Sequence, residues 1–168
     1  MNSTLFRMAP LDMACNRNLF SCGSIALDQY FYHQVSQDIK RNVTSCFVAL
    51  DSDERIAGYY TLSSASVALT DLPEATIKKL PRYPTVPTAR LGRLAVDNTY
   101  KRMGLGGALL ADAFSRVINS GIGIYAIIVD AKDEMAADFY RYFGFIPLSY
   151  LPETLFLPVE TIKKSMKK

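Results

Sequence analysis

Residues 90–110, RLGRLAVDNTYKRMGLGGALL, gather the residue types and spacings that could do chemistry. Arg90 to Val96 reads as a strand, the polar run DNTYKRMG as a loop, and a helix is predicted to begin near Leu105. Gly104, Gly106 and Gly107 leave backbone N–H groups bare at the start of that helix, where its positive end favours an anion. Lys101 and Arg102 add two cations. The segment is therefore a candidate pyrophosphate cradle, although glycines before a helix also serve plain turn chemistry. It is not a P-loop, because Ala108 and Leu109 follow Gly107 where Lys and Ser or Thr are needed. The dinucleotide fingerprint fits poorly, since several residues separate Val96 from Gly104 and Leu109 stands at the third small position. Asp130, at the end of the next strand, keeps a ribose-binding acid and a nicotinamide enzyme open as an alternative.

Other groups are weaker. His33 is the only histidine, so a His-rich zinc site or Ser-His-Asp chemistry would have to use it; a surface or packing role fits it better. Cys15, Cys22 and Cys46 are odd in number and form no CxxC pair, which argues against a disulfide framework and a thiolate metal site. No metal is expected. Asp133 and Glu134 open the last long helix and are candidate base or water-holding residues; acids there also complement the helix dipole. Nineteen Lys plus Arg oppose 16 Asp plus Glu, a net charge of only +3, which disfavours a protein that coats duplexes by bulk charge. Basic clusters at Lys40-Arg41, Lys78-Lys79, Arg90 with Arg93 and the Lys-rich end could still line one cleft.

The elements that must position these groups emerge from periodicity. At 168 residues, 49% hydrophobic and 21% charged, the chain is expected to form a single domain over residues 1–168. Leu27 to Ile39 is an amphipathic helix with Ser24 as its N-cap. Cys46 to Leu50 and Ile56 to Leu69 flank DSDER as a hairpin. Leu72-Pro73-Glu74 opens a short helix, and PRYPTVP is an extended connection. The predicted helix from Leu105 carries the apolar rows Leu105, Leu109, Ala113, Val117 and Leu110, Phe114, Ile118. Ile124 to Val129 is a buried strand, Asp133 to Phe143 a helix closed by Gly144, and FIPLSY and TLFLPV are two short strands. The outcome is an α/β (α+β) fold: a mixed central sheet with one parallel βαβ unit and flanking helices. There is no signal-like h-region and no membrane-length apolar run, so the reading is cytoplasmic and without membrane contact.

Lys101-x-x-Gly104-x-Gly106 resembles the Gln/Arg-x-x-Gly-x-Gly/Ala signature of the GCN5-related N-acetyltransferases (GNAT), whose loop binds the pyrophosphate of acetyl-coenzyme A. Downstream, FYRYFGF (residues 139–145) is similar to the family's Phe-Tyr-x-x-x-Gly-Phe. LFSCGSIALDQYF, AGYYTLSSASV, LPRYPTVPTARLGRLAVD and LFLPVETI resemble a subgroup, the acetyltransferase toxins of bacterial toxin–antitoxin pairs, which acetylate the α-amino group of aminoacyl-tRNA. The Cys22-Gly23 and Leu27-Asp28 element is a feature that ordinary family members lack.

The resemblance implies a fold with splayed parallel strands and acetyl-CoA as the acetyl donor, bound by Leu94, Ala95, Val96, Lys101, Arg102, Met103, Gly104, Leu105, Gly106 and Gly107. It implies Tyr140 as general acid for the departing thiolate and an N–H near Val96 for the developing oxyanion. Arg90 and Arg93, beside the donor strand, are the expected contacts to a charged tRNA. Further implied are a cognate antitoxin of ribbon-helix-helix type, a homodimer, and DNA contact only through the antitoxin in repressing the pair's own promoter. Two alternatives stay open: an acetyltransferase for a small amine or protein N-terminus, and a non-catalytic acyl-CoA or partner-binding module.

Overall fold

The computed structural model of the chain describes residues 5–167. In chain order the elements are β1 (Arg7–Pro10), α1 (Ile25–Gln29), a π-turn (Tyr30–Gln34), α2 (Val35–Lys40), β2 (Ser45–Leu50), β3 (Ile56–Ala68), α3 (Glu74–Ile77) and β4 (Thr85–Val96). They continue with α4 (Leu105–Ile118), β5 (Ala126–Asp130), α5 (Glu134–Tyr142), β6 (Ile146–Pro147), β7 (Thr154–Pro158) and α6 (Val159–Met166). The seven strands hydrogen-bond in the order β1-β2-β3-β4-β5-β7-β6, a mixed sheet in which β4, α4 and β5 form the expected parallel βαβ unit. Two compact units divide the chain: the described residues up to Ser63 with Leu91–Arg116, and Ser64–Arg90 with the described residues from Val117 on.

In the first unit, β1 and β2 pair antiparallel from Arg7↔Leu50 to Pro10↔Phe47, and β2 continues onto β3 from Ser45↔Leu62. β1 has no counterpart in the sequence reading; at four residues it is too short for an alternation to register. The core gathers Phe20, Phe31, Val35, Val48, Tyr59 and Ala95. Phe31 stacks on Tyr59 at 4.2 Å between ring centroids, with Phe20 edge-on to both. Each such ring contributes about 1.5–3 kcal/mol of burial. Ser24 caps α1 as expected, accepting from the Leu27 N–H at 3.3 Å.

The helix expected from Leu27 to Ile39 is broken by the π-turn, in which the Val35 N–H reaches back five residues to the Tyr30 carbonyl. The extra residue lets Phe31 and Val35 both reach full burial while Tyr30 turns towards Arg93 and Asp38. Gly58 permits β3 to lie close to α4: a Cβ there would stand 2.9 Å from Leu109 Cδ1 and 3.0 Å from the Ala95 carbonyl oxygen. The row Leu105, Leu109, Ala113, Val117 is fully buried; Phe114 and Ile118 in the second row are only partly so.

In the second unit, β4 pairs parallel with β5 from Thr88↔Ala126 to Arg90↔Ile128, and β5 pairs antiparallel with β7 from Ala126↔Pro158 to Asp130↔Thr154. β4 starts at Thr85, five residues ahead of the expected start at Arg90, so the last part of PRYPTVP is strand. Pro87 cannot donate, but its carbonyl accepts from the Tyr125 N–H at 2.9 Å, which keeps the ladder going. Ala126 to Val129 are buried, which accounts for the continuous apolar run, although one neighbouring strand is antiparallel. The Lys-rich end, to which the sequence reading assigns no element, carries α6: Pro158 precedes it, and Val159 and Ile162, three apart, are buried while Lys163, Lys164 and Lys167 are exposed. Among the described residues no helix is long and apolar enough to cross a membrane.

Candidate active site

Asp97 follows β4 directly and organises the loop behind it. Its side chain is buried, yet both carboxylate oxygens are occupied: Oδ1 accepts from the Thr99 N–H at 2.8 Å and Oδ2 from the Ser21 N–H at 3.0 Å. The Asn98 N–H donates to the Ser21 carbonyl at 2.8 Å. A one-turn 3₁₀ helix, Asn98–Tyr100, then delivers Lys101 to the head of the loop. Arg102 (φ +66°) and Gly104 (φ +76°) take left-handed backbone, the conformation that turns the chain sharply into α4. The first helical bond runs from the Ala108 N–H to the Gly104 carbonyl, so the N–H groups of Leu105, Gly106 and Gly107 have no acceptor within the helix. Three donors at the positive end of a 14-residue helix, beside the exposed Arg102 and Met103, fit a pyrophosphate.

Upstream, Ala95 is buried, and Leu94 and Val96 on the other face are half-buried. The parallel ladder with β5 ends at Arg90↔Ile128, before these three residues are reached. Lys101 departs from expectation in its side chain. Its ammonium donates to the Cys22 carbonyl at 2.6 Å, so its charge is directed at the N-terminal segment. That segment is itself fixed: Gly23 is left-handed (φ +91°), and the Cys22 N–H donates to Asp28 Oδ1 at 3.0 Å.

Tyr140 lies in the second unit on α5. Asp133 caps this helix, accepting from the Ala136 N–H at 2.8 Å, and Gly144 (φ +100°) ends it, with the Phe145 N–H returning to the Tyr140 carbonyl at 3.2 Å. Phe139 and Phe145 meet the Tyr140 ring edge-on at 5.2 and 5.4 Å. Burial pushes the phenol up to about 12. Asp133 is occupied as a cap, and Glu134 pairs with Arg141 at 3.0 Å, which favours the helix-terminus role for both over that of a base.

Arg90 is ion-paired with Asp130, which also accepts from the Thr154 hydroxyl at 2.7 Å; the carboxylate kept open as a ribose ligand is thus engaged. Arg93 lies over the Tyr30 ring at 3.4 Å, and the Tyr30 hydroxyl donates to Asp38 at 2.8 Å. His33 is exposed beside Tyr32, and the three cysteines are free thiols. The sequence reading missed Asp97 and Tyr30. Asp-x-Thr after a strand is an Asx-turn signal that could have found the first; nothing local marks the second, whose partner is 63 positions away.

The profile of the acetyltransferase (GNAT) family matches residues 11–145. A probable toxin TacT of Sinorhizobium fredii is 30% identical over 161 residues, covering 90% of this chain and 89% of its own. A tRNA-acetylating toxin of Mycobacterium tuberculosis is 38% identical over 128 residues, 75% of each chain. Among solved structures, AtaT complexed with acetyl-methionyl-tRNAfMet superposes with a TM-score of 0.88 at 28% identity, covering 96% of this chain and 99% of that one. AtaTR bound with acetyl-CoA gives 0.82 at 28%, covering 96% and 98%. An AtaT variant bound to the C-terminus of the antitoxin AtaR gives 0.80 at 26%, covering 98% and 99%.

Proposed function

The chain belongs to the GNAT acetyltransferase family, and from that premise we propose that it is a toxin that moves the acetyl group of acetyl-CoA to the α-amino group of aminoacyl-tRNA and so stops translation. The observation that carries the donor assignment is the row of N–H groups at Leu105, Gly106 and Gly107 behind left-handed Gly104. These amides and Arg102 hold the pyrophosphate, with Lys101 and Met103 at the head of the loop. Leu94, Ala95 and Val96 lie past the end of the ladder to β5 and pair with the pantetheine arm as an added strand would. An N–H near Val96 steadies charge that develops on the thioester oxygen.

Tyr140 donates its proton to the departing thiolate. Because burial holds its phenol at about 12, the group stays protonated throughout the neutral range. No strong base is required, since an α-amine titrates at about 7.7–8.0 and is partly neutral near pH 7. Arg93 and Arg90 contribute positive charge to the tRNA side. Arg93 keeps its charge beside an aromatic face, whereas Arg90 must exchange Asp130 for a phosphate. An AtaT variant is bound to the C-terminus of the antitoxin AtaR, which supports a cognate antitoxin for this chain; we propose one of ribbon-helix-helix type that neutralises it. We place its action in the cytoplasm, as a homodimer built from single N-acetyltransferase domains, with DNA contacted only through the antitoxin.

The test is incubation with labelled acetyl-CoA and total charged tRNA, followed by nuclease digestion. Label on N-acetyl-aminoacyl-adenosine is the expected result. Label on small amines or protein N-termini, with none on any charged tRNA, would overturn the tRNA reading.

A further inference from the structure

The Lys-rich end is a basic cluster that the proposed donor site leaves unused, and it borders a groove of about 480 Å³ lined by Tyr125, Val159, Lys163, Lys164 and Lys167 among others. α6 is fastened to this groove: the Val159 N–H donates to the Tyr125 carbonyl at 2.8 Å, and Val159 and Ile162 are buried. The Tyr125 N–H in turn donates to the Pro87 carbonyl at 2.9 Å. Lys163 and Lys167 stand one helical turn apart, about 5–6 Å between Cβ atoms, which is comparable to the step between successive phosphates of an RNA strand. Among the described residues neither joins an ion pair, and Lys164 meets Glu160, the one acid of the lining, at 3.8 Å. Lysines in a last turn also complement the carbonyl end of their helix. That role accounts for no groove and no aromatic ring beside it, and here both are present. Tyr125 is half-buried against the core of Val86, Ala126 and Phe156. It also borders a second, apolar depression of about 170 Å³, shared with Pro81, Pro87 and Tyr83, and Tyr83 is 67% exposed.

We propose that this surface is a further contact for the charged tRNA, in which the α6 lysines hold phosphates of the RNA backbone and an unpaired base rests against Tyr125 and Tyr83. Three cations against one acid favour a polyanion. The flat apolar rings beside them favour a nucleic acid over an acidic peptide, because every base has a π-face to stack and an Asp or Glu side chain has none. The proposal rests on the tRNA-acetylating reading for the identity of the RNA, but not for the affinity of the groove for RNA.

The test is binding of total charged tRNA to the full chain, read by fluorescence anisotropy between about 50 and 200 mM salt, which requires no acetyl transfer. The triple variant Lys163→Gln, Lys164→Gln, Lys167→Gln changes exposed side chains only. It is expected to weaken binding about tenfold at the low-salt end and to lower the slope of log affinity against log salt by about two. Glu160→Gln should tighten binding about twofold, a gain that misfolding does not produce. Tyr83→Ala should weaken binding about fivefold and leave the slope as it is, since stacking is lost and charge is not. A parent-like slope in the triple variant overturns the proposal, and so does parent-like binding by Tyr83→Ala. Decaglutamate probes the other class of partner: if the parent binds it as tightly as tRNA and the triple variant does not, the groove is an acidic-peptide site and the RNA assignment falls. Acetylation is scored separately. A lowered slope in a protein that acetylates no charged tRNA keeps the groove and discards the tRNA-acetylating reading, whereas acetylation of charged tRNA with an unchanged slope does the reverse.

Discussion

In the reaction proposed above, the glycine loop before α4 and the Tyr140 helix would solve opposite problems. The loop must aim N–H groups, and it is held by backbone: a buried Asp97, two carbonyl contacts to the Ser21–Cys22 segment, and left-handed turns at Gly23, Arg102 and Gly104. The α5 region must present one hydroxyl, and it is held by packing, with Phe139 and Phe145 against the ring and ordinary helix signals at each end. Anion binding by amides specifies conformation and tolerates changes of side chain, so Lys101 can replace the usual Gln or Arg. Proton donation specifies one atom, so the loop's tolerance has no counterpart at Tyr140.

The contrast can be broken or sharpened in turn. Tyr140→Phe removes one oxygen from a packed ring; kcat is expected to fall on the order of 100-fold or more. Thermal unfolding should shift by only a few degrees, equivalent to less than about 1 kcal/mol. A parent-like kcat would leave α5 with no chemical role. The rate should rise with pH as the acceptor amine loses its proton near about 7.7–8.0, and no alkaline limb should appear until the pH approaches the Tyr140 value of about 12. A fall near pH ~9 in initial rates corrected for hydrolysis of the aminoacyl ester, well below the range of a buried phenol, would assign the acid elsewhere.

Asp97→Ala removes the acceptor of two part-buried N–H groups and should cost about 1–2 kcal/mol in denaturant unfolding, with loss of donor affinity exceeding loss of kcat. If stability is unchanged, the loop is not held by its polar network. Gly58→Ala presses a methyl onto Leu109 and the Ala95 carbonyl. It should cost about 1–3 kcal/mol and raise KM for acetyl-CoA, because the donor strand is what yields. Arg90→Ala, at a partly exposed ion pair, should change stability by less than about 1 kcal/mol. It should lower by about one the slope of log affinity for tRNA against log salt.

Local rules sufficed where local chemistry decides. Ser24 and Asp133 cap their helices, Gly144 comes after its helix in left-handed backbone, and the βαβ unit around the glycine loop stands in the expected order. Periodicity found the α4 core row because a helix of 14 residues repeats its pattern several times. It missed β1 and α6, where four and eight residues give too few repeats to stand out. The site shows the same division. The left-handed turn at Gly104 into α4 and the helix that carries Tyr140 were legible because motif and conformation coincide in one short stretch. The Lys101–Cys22 contact joins residues 79 positions apart, and no spacing rule within either segment announces it.

The π-turn at Tyr30–Gln34 puts one surplus residue into the first helix and advances its phase by about 100°. Excising a single codon there would let the helix close as an ordinary α-helix, carrying Tyr30 away from Arg93 without changing the identity of either. Substitution cannot reach that outcome and deletion can. Chain length in this helix is therefore a heritable variable in its own right, one that sets the direction of an aromatic ring beside the donor strand.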